Sequence, residues 1–521
     1  MGILPRVKKF NSDDRYTYFK SDLRVYFDGC KELSFALKEL LPFINFTKAY
    51  DRSDASLILK KDVTINNREE YLIKVTNNLI ECRFGDFLGG RNAIATLAQM
   101  IENENGDLKI RSCEIHDYPD AHFRSFMHDT GRKYIPISEL RAHILLMAKC
   151  KFNYLHLHLS EAVGFSIALE KFPELHGVSS EQYTEEEIVE LVDYAENLGI
   201  EIVPEIDVPG HSNVFCDAWS DVSCDLTDGE KTHGWALCVG AEETYNRLSA
   251  LIPEVLKLFK SKYFHLGTDE ISMRDEMRIP HPHADWLRCK RCRALMKRSG
   301  YKTEVELFYH FLNRIYNVVK ACGKDLIIWN DWVDISKVPN IPKDIIIEFW
   351  RVAAPMRGPH AGCSMQRFLD EGFNVINANF PDTYIDLYVD YGKLKDWDLK
   401  CTPASDVNTP GKILGADVCA WDVHSHYAHS IPVSIALFAE KLWTHGGDIG
   451  NEYLTDASRV IIGTSEFSIY DYTEKVIVLR DGVSPFSKNI NREELAIKLG
   501  NIEPRDIAEE YAISSYLSYL K

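Results

Sequence analysis

Two hydrophobic periodicities divide the chain. In residues 1–117, short runs alternate apolar and polar positions: Leu23–Phe27, Ala55–Leu59, Tyr71–Val75 and Leu79–Phe84. That two-residue period predicts half-buried strands. Between them, Leu33, Leu37 and Leu40/Leu41 recur at helical spacing over Lys31–Leu41, and a second helix opens at Gly89-Gly90 with Ile94, Leu97 and Ala98. The pattern predicts a small α/β domain. It holds no catalytic constellation, so its expected work is packing against the neighbouring domain.

From 118 to 446 strands alternate with helices, the pattern of parallel βαβ units. Eight strands are expected: Phe123–His128, Tyr154–Leu159, Ile200–Ile206, Tyr263–Gly267, Leu326–Trp329, Ile345–Phe349, Asn374–Ala378 and Ile413–Cys419. Helical spacing falls between them at Ser138–Lys149, Glu185–Leu198, Glu242–Phe259 and Glu304–Ala321, and Ile435–Trp443 closes the series. Ser138 and Thr184 are expected N-caps, and Glu187 completes a capping box with Thr184. Gly199 and Gly323 stand where helices end. Eight units fit a (β/α)₈ TIM barrel. A doubly wound open sheet is the alternative, but no glycine-rich phosphate turn follows the first strand. Residues 447–521, with apolar patterns at Glu493–Leu499 and Ala508–Leu520, predict a helical C-terminal extension. It would pack on the barrel or on a second copy of the chain in a homodimer.

The strand ends concentrate chemistry. Tyr263–Ile271 is an apolar-aromatic strand that stops at Gly267 and delivers Asp269 and Glu270 into a loop. Neighbouring residues of an extended chain point to opposite sides. These acids therefore act as a facing pair only if the loop bends, and a division of roles is expected: one donates a proton and the other orients something. The bland reading is two solvated acids in a surface loop. Against it, Trp329, Trp332, Trp350 and Trp421 occupy equivalent strand ends, with Tyr384 and further acids beside them, including Glu161, Asp386 and Asp422. Aromatic faces beside carboxylates suit a sugar, which has apolar CH faces and polar edges.

Composition narrows the partners. The net charge of −18 argues against nucleic acid and anionic membranes. No run of about 18 apolar residues predicts a spanning helix. The N-terminal stretch lacks a signal-peptide pattern, and 13 cysteines lie scattered without a framework, so a cytoplasmic location with reduced thiols is expected.

Five blocks carry a family resemblance. They are Phe123-Arg124 through Asp129-Thr130-Gly131-Arg132, Lys151 through Ser160, Val203-Pro204-Glu205-Ile206-Asp207-Val208-Pro209-Gly210-His211, His265-Leu266-Gly267-Thr268-Asp269-Glu270, and Ala439-Glu440-Lys441-Leu442-Trp443. In order and spacing they resemble glycoside hydrolase family 20, the β-N-acetylhexosaminidases. The resemblance implies a retaining exo-hydrolase of terminal β-linked GlcNAc or GalNAc, in which the sugar's own acetamide attacks C1 to give an oxazolinium. It implies Glu270 as acid and base, Asp269 as acceptor of the acetamide N–H, and Tyr384 as donor to the acetamide oxygen. Trp329, Trp350 and Trp421 would wall the sugar. Arg124 and Asp386 would bind hydroxyls, and His211 and Glu161 would back up Glu270. Glu270 would need a raised pKa to carry its proton. No cofactor is implied for catalysis.

Three positions depart from the family's pattern: Glu161 stands for Asp, Thr268 for Gly, and Val423 for an acid that holds O4 and O6, with Asp422 beside it. Recognition at O4 is thus open between GlcNAc, GalNAc and a 6-modified or disaccharide substrate. A non-catalytic carbohydrate-binding barrel is a rival from another class, and a metal-dependent hydrolase using His265, Asp269 and Glu270 is a third. Outside the resemblance, His281 and His283 precede Cys289-x-x-Cys292. These four would close a tetrahedral structural zinc site; the bland alternative is a solvated basic loop.

Overall fold

The computed structural model describes residues 2–450 and Tyr453. Positions 21, 105–106, 228–231, 233, 272–283, 334–338, 351–363, 381, 386–390, 401–408, 422–429, 445–446 and 448 are excepted. The expected C-terminal extension thus lies almost wholly outside the described residues, as do Asp386, Asp422, His281 and His283.

The N-terminal unit is an eight-stranded sheet. Its spatial order is Lys9–Lys20, Asp107–Asp117, Tyr71–Thr76, Leu79–Phe84, Leu57–Lys61, Asp22–Asp28 and Asn45–Lys48, with Glu102–Glu104 paired to Asp107–Asp117. The helices Leu33–Leu40 and Phe87–Met100 pack on each other and on barrel helices. The long first strand escapes the hydrophobic pattern for a physical reason. It is an edge strand with most side chains in solvent, and its register shifts between Ser12 and Tyr16. Edge position and a bulge both erase clean alternation.

The barrel closes through eight parallel strands. They are β1 (Phe123–Asp129), β2 (Tyr154–His158), β3 (Glu201–Glu205), β4 (Tyr263–His265), β5 (Asp325–Trp329), β6 (Ile346–Phe349), β7 (Val375–Asn377) and β8 (Ile413–Ala420). Each pairs with the next, and β8 pairs back to β1. The helix Glu185–Asn197 begins with the expected capping box of Thr184 and Glu187. Ser138 is not a cap: its helix starts at Ile137, after Pro136, with no side-chain cap bond. Proline at the N-cap position fixes the chain's entry through its φ, and its carbonyl accepts from Glu139 N–H at 2.9 Å, with no side-chain cap.

The barrel interior is layered, as period-two strands dictate. The lowest layer is apolar, built from Phe123, Val203, Tyr263, Ile327, Ile346 and Ile376. One pleat higher the inward residues are His156, Glu205, His265, Trp329, Glu348 and Asp417, all buried. Above them come Met127, Trp350, Ala378 and Cys419. A polar layer thus sits between the apolar floor and the C-terminal mouth.

The two units are joined by buried charge. Lys151 Nζ lies 3.0 Å from Asp117 Oδ2 and donates to Tyr71 Oη at 2.8 Å. Trp443 Nε1–H donates to Asp117 Oδ1 at 2.9 Å. Arg91 donates to the carbonyl of Ala148 at 2.9 Å. Arg124 belongs to this seam, and the expectation that it binds sugar hydroxyls is corrected here. It is the second residue of β1, at the end of the barrel opposite the acids. Its guanidinium pairs with Glu69 of the N-terminal unit and donates to the carbonyls of Lys151 at 2.9 Å and Ala121 at 2.6 Å. The residue is 1% exposed, so no ligand reaches it.

Removing one partner of a buried ion pair typically costs about 3–5 kcal/mol, because the other charge is left uncompensated. Arg124→Met should therefore lower the stability measured by urea unfolding by roughly that amount, while KM of the folded fraction stays unchanged. A raised KM with unaltered stability would restore the ligand-binding role.

Candidate active site

The loop after β4 does bend. Gly267, Thr268 and Glu270 have φ of 71°, 81° and 46°, all in the left-handed region that side chains with a Cβ rarely adopt. Only glycine fits at 267, where a Cβ would stand 1.9 Å from Asp207 Oδ1. The turn is pinned by side chains from neighbouring strand ends. Thr268 N–H donates to Asp207 Oδ1 at 3.0 Å, and Glu270 N–H to Asp331 Oδ2 at 2.9 Å. Trp235 Nε1–H donates to the Glu270 carbonyl at 2.9 Å.

The bend brings both acids to one imidazole. His211 Nε2 lies 3.7 Å from Asp269 Oδ2 and 3.6 Å from Glu270 Oε2. On its other side His211 Nδ1 is 2.6 Å from Glu161 Oε1. Glu161 continues the chain to Arg132 Nη2 at 2.7 Å, and Arg132 Nη1 is 2.7 Å from Asp129. Charges therefore alternate: carboxylates, imidazole, carboxylate, guanidinium, carboxylate. Glu161 spans the distance to His211 as it stands, with its extra methylene.

Electrostatics follow from this alternation. Burial disfavours charge on Glu161, yet Arg132 and His211 outweigh it and hold its pKa well below the usual range. Burial likewise opposes charge on His211, but Glu161, Asp207 and Asp269 raise its pKa well above an ordinary histidine. Asp269 is raised, first by burial and then by the neighbouring Glu270 charge, with His211 pulling the other way. Asp207 and Asp331 are pushed well up by burial and by Asp269. The Glu270 side chain is 29% exposed against 13% for Asp269, so Glu270 is the one that meets water. Asp269 Oδ1 is buried and has no hydrogen-bond partner. An ionised carboxylate oxygen without a donor is costly, and a ligand N–H would relieve it.

Aromatic rings build the adjoining wall. Trp329 and Trp421 have ring centroids 5.8 Å apart, Tyr384 and Trp421 6.3 Å, and Trp350 and Tyr384 6.4 Å. Arg132 caps Trp421 at 5.3 Å from its ring centroid. Trp350 Nε1–H donates to Asp331 Oδ1 at 3.2 Å, tying the wall to the acidic loop. Trp329 is wholly buried and donates to Glu205 Oε1 at 2.9 Å.

The structure thus gathers Asp269, Glu270, Glu161, His211, Trp350, Tyr384 and Trp421 at one mouth, with Trp329 in the buried layer beneath them, while Arg124 is elsewhere. Arg132 is the cation that sequence reasoning missed. It follows β1 by three residues, so the strand-end rule that found the acids would have found it. Trp235 lies in a long loop with no periodic signal. His265 is not beside the acids: its Nδ1 is 3.0 Å from Glu205 and its Nε2 3.5 Å from Glu348, in the layer below. Among the described residues, His265, Asp269 and Glu270 form no common metal-binding group.

Thr268 holds a β-branched residue at φ 81° with a buried hydroxyl lacking a partner. Left-handed backbone costs a residue with a Cβ about 1–2 kcal/mol. Thr268→Gly should therefore stabilise the protein by about 1 kcal/mol in urea unfolding, after the entropy glycine brings to the unfolded chain. A loss of stability would show that the threonine methyl's packing outweighs the strain.

Comparison with known proteins places this geometry. The model described as "Glycosyl hydrolase family 20, catalytic domain" matches residues 122–445. A beta-hexosaminidase of Vibrio furnissii is 28% identical over 381 residues, covering 68% of this chain and 59% of the relative. One of Porphyromonas gingivalis is 29% identical over 275 residues, covering 49% of this chain and 34% of the relative. The chain thus spans well under two thirds of either relative's length. The β-N-acetylhexosaminidase of Bacteroides fragilis superposes with a TM-score of 0.72 at 26% identity, over 88% of this chain and 94% of that one. The exo β-N-acetylglucosaminidase of Vibrio harveyi, solved with N-acetylglucosamine, shares the fold at a TM-score of 0.72 and 21% identity, over 88% of this chain and 77% of that one. With a matching family model over most of its length and a closed (β/α)₈ barrel carrying adjacent acids at its mouth, the chain belongs to glycoside hydrolase family 20.

Proposed function

We propose that the protein is a retaining exo-β-N-acetylhexosaminidase acting by substrate assistance on terminal β-linked GlcNAc or GalNAc. The observation that carries this reading is the adjacent pair itself: the bend turns both acids to one mouth, with the more exposed Glu270 beside an Asp269 carboxylate that is 13% exposed and lacks a donor. A 2-acetamido N–H supplies that donor. Accepting it turns the acetamide carbonyl toward C1 and stabilises the positive charge that develops as the oxazolinium forms. Glu270, the more exposed acid, protonates the leaving oxygen and then takes a proton from the incoming water. The named activities of the Bacteroides fragilis and Vibrio harveyi relatives support the same sugar class.

The remaining groups have supporting tasks. Tyr384 donates to the acetamide oxygen from the aromatic wall. Trp350 and Trp421 line the sugar, and the buried Trp329 backs them from below. Arg132, held by Asp129 and Glu161 on the rim beside Trp421, takes the place first given to Arg124 and binds ring hydroxyls. His211 stands between Glu161 and both acids and keeps the local charge in balance. The reaction of this family needs no cofactor.

Hydrolysis of 4-nitrophenyl β-GlcNAc and β-GalNAc by wild type and Glu270→Gln tests the reading. Loss of a general acid–base residue costs about 10²–10⁴ in rate, and kcat should fall within that range. The fall should be greater on a disaccharide than on the nitrophenyl glycoside, since an alkoxide leaves poorly without a proton. Folded wild-type protein that turns over neither glycoside would overturn the exo-hexosaminidase assignment and favour a carbohydrate-binding barrel.

The pH profile tests the Asp269 role separately. Protonation removes the negative charge that strengthens the N–H bond and stabilises the developing cation, so kcat/KM should fall as pH drops through a midpoint above the ordinary aspartate value of 3.8. His211 is the cation that opposes the rise, so His211→Gln should move that acid limb to higher pH. An unmoved limb, or one shifted to lower pH, would separate His211 from the titration of Asp269.

A further inference from the structure

A second cluster lies behind the acidic loop. Cys224, Cys238, Cys289 and Cys292 are all buried, and their sulfurs all fall within 4.8 Å of one another. Cys238 Sγ is 3.5 Å from Cys289 Sγ and 3.7 Å from Cys292 Sγ. A disulfide would bring two sulfurs to about 2.05 Å. Four thiolates around a zinc at Zn–S of about 2.3 Å sit at the corners of a tetrahedron with edges of about 3.8 Å. The observed spacings match the tetrahedron and not the bond.

Buried cysteine is ordinarily a small hydrophobe, and Cys30, Cys82, Cys113 and Cys150 are buried elsewhere in the fold in that way. Four that converge from three separate stretches of chain are a different matter. The backbone is built around the convergence. Leu226 pairs with Cys289 in an antiparallel bridge. Thr227 N–H donates to the Arg288 carbonyl at 3.0 Å, and Lys290 N–H to the Asp225 carbonyl at 2.8 Å. Gly240 lets the Cys289-x-x-Cys292 turn press in: a Cβ there would be 2.4 Å from Cys292 N. Cys289 is the N-cap of the helix Lys290–Ser299, where the helix dipole favours negative charge. Arg291, between the two cysteines, reaches over to the carbonyl of Asp221 at 2.9 Å.

We infer that this chain carries a structural Cys₄ zinc site formed by Cys224, Cys238, Cys289 and Cys292. This set replaces the ligands expected from sequence: Cys289 and Cys292 remain, and Cys224 and Cys238 supply the other two corners. Closed four-sulfur coordination leaves no open position for chemistry, so the zinc acts as a staple. It ties the stretches around Cys224 and Cys238 to the start of the helix Lys290–Ser299. Between the cysteines, Trp235 donates to the Glu270 carbonyl at 2.9 Å, and its ring lies 4.3 Å from the His211 ring. Leu237 N–H donates to the Pro209 carbonyl at 2.8 Å, and Trp286 Nε1–H to the Leu237 carbonyl at 2.8 Å. The staple thus fixes the strip on which His211 and Glu270 rest.

Elemental analysis of protein purified without chelator should give one zinc per chain. The same protein grown with cobalt should show the sulfur-to-cobalt charge-transfer and intense visible bands of tetrahedral tetrathiolate cobalt. Cys224→Ser and Cys289→Ser should each lose most of the zinc and lower Tm, whereas Cys322→Ser, a cysteine outside the cluster, should keep both. Should the serine variants fail to fold, the cobalt spectrum of wild type decides on its own. Metal-free folded wild type, iron in place of zinc, or two disulfides found by mass spectrometry without reductant would each overturn the inference.

Discussion

The Glu205 carboxylate is the charge on which the rest of the barrel depends. It is wholly buried at the end of β3 and would be untenable alone. His156 Nε2 lies 3.1 Å away, His265 Nδ1 3.0 Å, and Trp329 Nε1–H donates at 2.9 Å, with His158 closing the fourth side. Burial works against its charge, yet the three imidazoles hold its pKa well below the usual range. The same exchange acts in reverse on His156, whose pKa rises to about 10 because Glu205 and Asp417 overcome burial. Strands β2, β3, β4, β5 and β8 are thereby locked in register by one electrostatic layer. The aromatic wall stands on that layer through Trp329.

A second consequence is that the site is preorganised from below and from the side. Asp207 and Asp331 hold the backbone of the acidic turn, and His211 holds its carboxylates apart from Glu161. The positive φ at Thr268 and Glu270 is a local strain that these hydrogen bonds sustain. Without the bend, extended geometry would send Asp269 and Glu270 to opposite faces, and only one could face the mouth. Strain at this turn is therefore part of how two adjacent residues come to face one imidazole.

Not every block that carries the family pattern carries chemistry. Arg124, Lys151 and Trp443 lie together at the seam between the N-terminal sheet and the barrel, where each satisfies a buried charge or a buried donor. Their contacts explain why residues so far apart in sequence are needed together. The cysteine cluster is another case of distant residues meeting, this time from loops on the far side of the acidic turn.

The sequence by itself determined the eight barrel strands, most of their helices, the adjacent acids and the aromatic strand ends. All rest on short-range signals: period-two and period-3.6 burial, capping residues, and position at a strand terminus. It also made the resemblance legible, because the blocks keep their order. Tertiary structure alone decided which cation faces the mouth. Arg124 is the second residue of β1 and Arg132 lies three residues beyond its far end, and a linear reading has no measure of barrel height. It alone showed that Cys224 and Cys238, separated from Cys289 by a strand and a helix, share a site with it, and that the bend after Gly267 lets both acids face His211. These are long-range convergences fixed by barrel closure and side-chain packing, and neither leaves a period in the chain.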